Sequence, residues 1–135
     1  MKIILDSNVI ISALVTQGIS SRVIDLCIEK HGIFTSSWIV DEVIRILYTK
    51  FKVEHKKLVR IKDFLLSVCV TIKPEGKKPT HCRDQDDNKI LHIAKHVHAD
   101  LIITGDEDLL ILKTCEDTRI ITPRQFMEHY NTHRK

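Results

Sequence analysis

The stretch that decides the fold class lies near the N-terminus and reads Lys2-Ile3-Ile4-Leu5-Asp6-Ser7-Asn8-Val9-Ile10-Ile11. Residues 2–5 are almost wholly apolar, which predicts a short buried strand. Asp6 and Ser7 belong to the residue types that begin helices, and apolar residues at helical spacing then continue to residue 15. A strand followed at once by a helix is the first half of a βαβ unit.

The same alternation of short apolar runs and helical patterns continues through the chain. Strands are predicted at residues 2–5, 33–35, 70–72, 101–104 and 119–121. Helices are predicted at residues 8–15, 20–30 with Ser20 or Ser21 as N-cap, 39–49, 54–69, 86–98, 107–113 and 123–130. The pattern favours an α/β fold, a three-layer α/β/α sandwich around a twisted, mostly parallel sheet of five strands. The length of 135 residues fits a single domain over residues 1–135.

The composition is that of a globular protein without a membrane segment. Hydrophobic residues make up 43% and charged residues 29% of the chain. No apolar run is long enough to cross a bilayer, and the apolar stretch before Asp6 is too short for a secretory signal. The four cysteines form no C-x-x-C pair and no zinc-ligand spacing. We therefore expect reduced thiols, a cytoplasmic location and no contact with a membrane.

Acidic residues follow the predicted strands at one edge of the sheet. Asp6 comes directly after the first strand, and Asp106 follows the fourth. Asp87 lies in the first turn of the helix that leads to that strand, and Glu42 lies one turn into the helix after the second. Ordinary structural explanations exist as well: Asp6 and Asp106, like Asp86 beside Asp87, stand where helix N-caps are found, and Glu42 fits a solvated acid in a first turn. Four carboxylates at one edge would nevertheless repel one another, and a divalent cation such as Mg²⁺ or Mn²⁺ would remove that repulsion.

Other phosphate chemistries lack their motifs. Neither G-x-G-x-x-G, nor a P-loop, nor a G-x-S-x-G elbow occurs in the sequence. A haloacid-dehalogenase phosphatase would need an acid where Asn8 stands and another where Leu110 stands. A receiver domain would need a phosphoacceptor Asp after the third strand, where the chain reads Ile72-Lys73-Pro74. The carboxylates are therefore the best chemical lead.

Four ordered segments resemble the PIN domain (PilT N-terminus) ribonucleases, most closely the VapC-like toxins of toxin–antitoxin systems. They are residues 3–14 around Leu5-Asp6-Ser7-Asn8, Ser37 with Glu42-Val43, Arg83-Asp84-x-x-Asp87-Asn88-Lys89, and Ile103-Thr104-Gly105-Asp106-x-Asp108-Leu109. The resemblance implies the same fold of about five parallel strands. It also implies hydrolysis of RNA phosphodiester bonds with one or two Mg²⁺ or Mn²⁺ ions.

Carried over residue by residue, the resemblance places the catalytic and metal-binding set on four acids: Asp6, Glu42, Asp87 and Asp106. Two further acids, Asp84 and Asp108, match additional acidic positions. Whether Asp106 or Asp108 lies closer to the metal stays open at this point. The polar residues Asn8 and Thr104 match positions that support the site.

The charge balance favours a nucleic-acid substrate once the acidic set is put aside. The net charge is +3, and with four of the 18 acids set aside 21 Lys and Arg residues face 14 acids, a balance of +7. Basic residues cluster on the helix at 54–69 and on the loop at 73–83. The helix cluster is equally explained as a solvated face. The loop leads directly to the acids, so Lys77, Lys78 and Arg83 are the predicted RNA contacts.

The resemblance also implies partners. A toxin of this kind is held inactive by a cognate antitoxin protein, and it often forms a homodimer. Trp38, Tyr48 and Phe51 are candidates for an exposed apolar surface that binds such a partner, although they equally fit a core. The alternative function is a non-catalytic PIN-like module that binds RNA or a protein partner.

Overall fold

The computed structural model describes residues 1–130. Its strands are β1 (Lys2–Leu5), β2 (Gly32–Thr35), β3 (Cys69–Thr71), β4 (Leu101–Ile103), β5 (Thr114–Cys115) and β6 (Thr118–Ile121). Its helices are α1 (Ser7–Val15), α2 (Ile19–Lys30), α3 (Ser37–Thr49), α4 (His55–Val68), α5 (Gln85–Val97), α6 (Glu107–Leu110) and α7 (Pro123–Tyr130).

The strands form one sheet in the order β3-β2-β1-β4-β6-β5. All neighbouring strands are parallel except β5 and β6. Strand β1 lies between β2 and β4, where Ile4 pairs with Phe34 on one side and Ile102 on the other. Helices flank the sheet, so the predicted α/β architecture is confirmed. The strands that precede Asp6 and Asp106 are therefore direct neighbours.

The predicted number of five strands is wrong, because the sheet has six. The additional strand, β5, has only two residues and pairs antiparallel with β6 at the sheet edge. The predicted helix at 107–113 ends at Leu110, and the chain turns into β5 through Lys113, which has a φ of 63°. A strand of two residues has no periodicity that a sequence pattern could reveal.

The core is built around the central strands. Ile3, Ile4 and Leu5 of β1 are at most 1% exposed, as are all three residues of β4. Helix α5 packs against β1 and β2, while α1 packs against α2 and α3. This continuous packing fixes the carboxyl ends of β1 and β4, from which the acidic loops begin.

Helix α2 begins differently from the prediction. Its N-cap is Gly18, and no side chain caps it, so the predicted capping role of Ser20 or Ser21 is wrong. Ser20 is instead a buried residue inside the first turn. None of the helices in residues 1–130 is by itself long and apolar enough to span a membrane.

Candidate metal and catalytic site

Thr104 connects the two acidic loops at the carboxyl edge of the sheet. Its hydroxyl donates to Asp6 Oδ2 at 2.6 Å and accepts from the backbone N–H of Asp106 at 2.9 Å. Asp6 is 5% exposed and Thr104 is completely buried. A buried hydroxyl that both donates and accepts fixes the groups on either side of it. The Asp6 carboxylate and the start of the Asp106 loop therefore have defined relative positions.

Ser7 connects Asp6 to Glu42. Its hydroxyl donates to Glu42 Oε2 at 2.7 Å, and Asp6 Oδ1 lies 3.5 Å from the Ser7 hydroxyl oxygen. Ser7 is the first residue of α1 and is 3% exposed, while the Glu42 side chain is 19% exposed. Glu42 thus belongs to the same cluster as Asp6, although it comes from α3, the helix that follows the neighbouring strand β2.

Asp87 completes the cluster from the first turn of α5. Carboxylate oxygens of Asp87, Asp106 and Asp108 all lie within 4.8 Å of one another, the spacing of groups that can share one metal ion. Asp87 is 4% exposed, yet its Oδ2 has no hydrogen-bond partner among residues 1–130. A buried carboxylate oxygen without a partner is unfavourable unless something else binds it.

The electrostatics of the cluster favour a bound cation. The pKa of Asp87 rises to about 7, first through burial, then through the close approach of the Asp106 carboxyl and the charges of Asp106, Asp84 and Asp6. Burial also raises the pKa of Asp6, against the hydrogen bond from Thr104, which lowers it. The donors are all carboxylate oxygens, which are the ligands that Mg²⁺ and Mn²⁺ prefer. The residues present therefore fit a hard divalent cation.

Asp106 lies deeper in the cluster than Asp108. Asp106 is half-buried, and its charge acts on the pKa of both Asp6 and Asp87. Asp108 is exposed at the rim, where its Oδ1 lies 4.0 Å from a guanidinium nitrogen of Arg83. The geometry therefore favours Asp106 as the inner member of the pair.

Helix capping explains part of the acidic pattern. Asp106 caps α6 by accepting from the N–H of Asp108, and Asp84 caps α5 by accepting from the N–H of Asp86, both at 2.9 Å. The capping role considered for Asp86 is wrong, because Asp86 lies inside the first turn of α5. Asp6 occupies the N-cap position of α1, but its side chain makes no cap hydrogen bond. The Asp6 carboxylate is therefore committed to the cluster and not to the helix.

Comparison with known proteins assigns the chain to a family. Residues 2–108 match the model of the PIN domain. The chain belongs to the PIN domain family. Uncharacterized protein MJ1680 of Methanocaldococcus jannaschii is 31% identical over 144 residues, which covers 96% of this chain and 92% of that protein. PIN domains are generally nucleases, and the matched segment includes every acid of the cluster.

Some residues predicted for the site lie apart from the acids of this PIN domain. Asn8 is exposed, and its side chain makes no hydrogen bond within the part of the chain that the structure describes. Ser7 occupies the bridging place instead. Lys77 is exposed and Lys78 half-buried on the loop at 72–84, whereas Arg83 reaches the rim at Asp108 with a side chain that is 94% exposed.

Sequence reasoning missed Asn88, which holds the loop beside the PIN-domain acids. Its amide oxygen accepts from the backbone N–H of Cys82, and its amide nitrogen donates to the carbonyl of Cys82, both at 2.9 Å. Asn88 is completely buried. The sequence signal that could have revealed Asn88 is its position directly after Asp87 in the predicted helix. An Asn that is buried in a helix requires a hydrogen-bond partner on the backbone.

Proposed function

We propose that the chain is a Mg²⁺- or Mn²⁺-dependent endoribonuclease. The proposal is carried by one observation, the carboxylates of Asp87, Asp106 and Asp108 that lie close enough to share one ion, among which the buried Asp87 Oδ2 has no hydrogen-bond partner within residues 1–130. Membership of the PIN domain family supports hydrolysis of a nucleic-acid phosphodiester as the reaction.

Asp6, Asp87 and Asp106 would hold one or two metal ions, with Glu42 completing the ligand set. When bound, Mg²⁺ or Mn²⁺ supplies Lewis acidity and neutralises the charge that develops on the phosphate. Thr104 and Ser7 fix the orientation of the carboxylates. The carboxylates therefore do not have to be ordered during the reaction. Asp108, whose carboxylate lies within 4.8 Å of those of Asp87 and Asp106, would serve as a further ligand at the rim, and the charge of Asp84 acts on Asp87.

Hydrolysis would occur in one step, by direct attack of water. Ser7 is the hydroxyl next to the acids, but it is 3% exposed and already donates to Glu42. It is therefore a poor nucleophile, and a covalent intermediate is disfavoured. A carboxylate of the cluster would orient the attacking water and accept its proton.

The substrate would be single-stranded RNA held by the basic loop. Arg83 lies at the rim of the acids, and Lys77 and Lys78 continue the positive charge along the same loop. Such side chains bind phosphates without reading the sequence, so binding would depend strongly on salt.

As to biological role, we propose a cytoplasmic toxin that acts as a homodimer and is controlled by a cognate antitoxin, in keeping with the resemblance in the sequence motifs. The surface offered to the antitoxin is a groove of about 770 Å³ between the ends of α1 and α3 and one side of α4. Leu14, Phe51 and Phe64 line it beside Lys56 and Arg60, a combination that suits an amphipathic helix with acidic residues.

The toxin role predicts growth arrest when the chain is expressed alone from a tightly controlled promoter. Cells that express Asp106→Asn at the same protein level should grow normally. Co-expression of a neighbouring gene that encodes the antitoxin should restore growth to cells that express the wild type. Normal growth with active wild-type nuclease would refute the toxin role and leave the nuclease proposal standing. Light scattering of the purified chain tests the homodimer.

The enzymatic proposal is tested by incubating purified protein with labelled single-stranded RNA in Mg²⁺, Mn²⁺ or EDTA. The matched variants are Glu42→Gln and Asp41→Asn, which alter adjacent acids of α3. We expect cleavage only with metal, a loss of about a hundredfold for Glu42→Gln and no change for Asp41→Asn. RNA binding without cleavage under every condition would support the non-catalytic PIN-like module instead.

A further inference from the structure

A second pocket lies beside the acidic cluster on the same edge of the sheet. It has a volume of about 530 Å³ and is formed by the start of α3, the chain that follows β3 and one side of α5. Its lining includes Trp38, Ile72, Lys73, Pro74, Lys89 and His92. We call it the Trp38 pocket.

The Trp38 pocket lies next to the acids in the strand order of the sheet. The acids follow β1 and β4, and the pocket follows β2 and β3, the next strands in the sheet order. Trp38 lies four positions before Glu42 on α3, so the two side chains are on neighbouring turns of one helix face. A strand of nucleic acid that passes the acids and continues along this edge therefore reaches the pocket.

The chemistry of the pocket is aromatic and cationic. Lys89 Nζ lies 4.6 Å from the centroid of the Trp38 ring, and Lys73 and His92 also line the pocket. No acidic side chain is among the described lining residues, and Asp86 Oδ1 lies 3.9 Å from Lys89 at one side. An aromatic surface beside lysines is the combination with which proteins bind a base and its phosphate.

One wall of the pocket is held in place by α5. The ring of His92 is hydrogen-bonded to the carbonyl of Glu75 at 3.1 Å, and the backbone N–H of Glu75 donates to Nδ1 of His96 at 3.2 Å. Asn88 holds the other end of the same loop through Cys82. The pocket is therefore formed by anchored residues before any ligand binds.

We propose that the Trp38 pocket binds one nucleotide of the RNA strand close to the bond that is cut. The base would stack on the accessible part of the Trp38 indole, and its phosphate would contact Lys89 and Lys73. This inference rests on the proposed ribonuclease function. Tyr48 and Phe51 belong to a different surface, since they lie at the far end of α3 and just beyond it, with exposures of 61% and 48%.

The direct test uses the fluorescence of Trp38, which is the only tryptophan in the chain. Asp106→Asn, in Mg²⁺, is titrated with a single-stranded RNA of about ten nucleotides, and binding is followed independently by the anisotropy of a label on the RNA. We expect saturable quenching of the tryptophan that tracks the anisotropy. An analogue of the same length built only from abasic units should leave the tryptophan fluorescence unchanged at concentrations where its own anisotropy shows binding.

Cleavage provides the second readout. Trp38→Leu should raise KM about tenfold while changing kcat little, which is the size of effect expected for one stacked base. Lys89→Gln should raise KM similarly, and Tyr48→Leu on the same helix should leave it unchanged.

The outcomes separate the two proposals. If the wild type neither binds nor cuts RNA, the ribonuclease proposal fails and the pocket inference falls with it. If the wild type cuts RNA while Trp38 fluorescence stays constant during binding, or if Trp38→Leu and Lys89→Gln keep the wild-type KM, the pocket inference alone is overturned.

Discussion

Asp87 has the most unfavourable charge in the cluster when no metal is bound. Its pKa rises from 3.8 to about 7, chiefly through burial and the nearby acids. Between these two pH values the folded protein keeps a proton that the unfolded chain has released. Stability therefore falls as pH rises through this window, and the loss is complete above pH 7.

This gives a prediction for the metal-free protein. Asp87→Asn removes the ionisable group, so we expect a higher melting temperature than the wild type at pH 8 in EDTA. The advantage should shrink as the pH falls and should vanish below the unfolded pKa of 3.8, where the wild-type carboxyl is protonated in both states. Asp86→Asn, at the exposed neighbour, should show no such dependence. A variant that is less stable than the wild type at pH 8 would contradict the assigned electrostatics.

The Thr104 hydroxyl is expected to contribute to both stability and catalysis. Thr104→Val keeps the shape of the side chain but leaves Asp6 Oδ2 and the N–H of Asp106 without their partner. We expect a loss of about 1–3 kcal/mol in the free energy of unfolding, together with slower RNA cleavage. Thr104→Ser should restore both. Urea denaturation and initial rates measure them, and equal values for Val and Thr would show that the hydroxyl is dispensable.

Helix α5 positions several parts of the site. Its first turn carries Asp87, and Asn88 holds the loop at 72–84 through two hydrogen bonds to Cys82. The same helix contributes Lys89 and His92 to the Trp38 pocket. One element thus positions an acid, a basic loop and a pocket wall.

We expect Asn88→Ala to release this loop without unfolding the sheet. Two backbone hydrogen bonds are lost, so amide hydrogen exchange across residues 75–84 should become faster while exchange in β1 and β4 stays slow. Asn8→Ala, at an exposed asparagine, is the matched control. Unchanged exchange in the loop would mean that other contacts hold it.

Sequence patterns predicted the elements that are long or fully buried. The apolar triplet of β1 predicted a buried strand, and the helical spacing of apolar residues at 39–49 predicted α3. The acids could be placed because they follow strand ends. The patterns did not reveal β5, which has two residues, or the uncapped start of α2 at Gly18. They also did not reveal the roles of Ser7 and Asn88. Ser7 bonds to Glu42, 35 positions away, and Asn88 bonds to Cys82, 6 positions away, and only folding brings these partners within hydrogen-bond distance.

At the scale of the whole molecule, two clusters of basic side chains within residues 1–130 lie on separate surfaces. The loop at 72–84 borders the acids, whereas Lys56, Lys57 and Arg60 line the α4 groove. We expect RNA affinity to fall with salt, and replacement of Lys77, Lys78 and Arg83 by Ala should reduce the slope of log affinity against log salt by about 2. The matched triple variant at Lys56, Lys57 and Arg60 should keep the wild-type slope. The reverse result would show that RNA binds in the α4 groove.

The most direct test of the central claim is the rate of RNA cleavage measured as Mn²⁺ is raised, for the wild type, Asp87→Asn and Asp86→Asn. Single-turnover conditions keep product release out of the rate. If the buried cluster holds the catalytic metal, the wild type and Asp86→Asn cut with a saturable dependence on Mn²⁺, and Asp87→Asn is slower by about a hundredfold or more. Equal rates for the wild type and Asp87→Asn, or cleavage that persists undiminished in EDTA, would contradict the account.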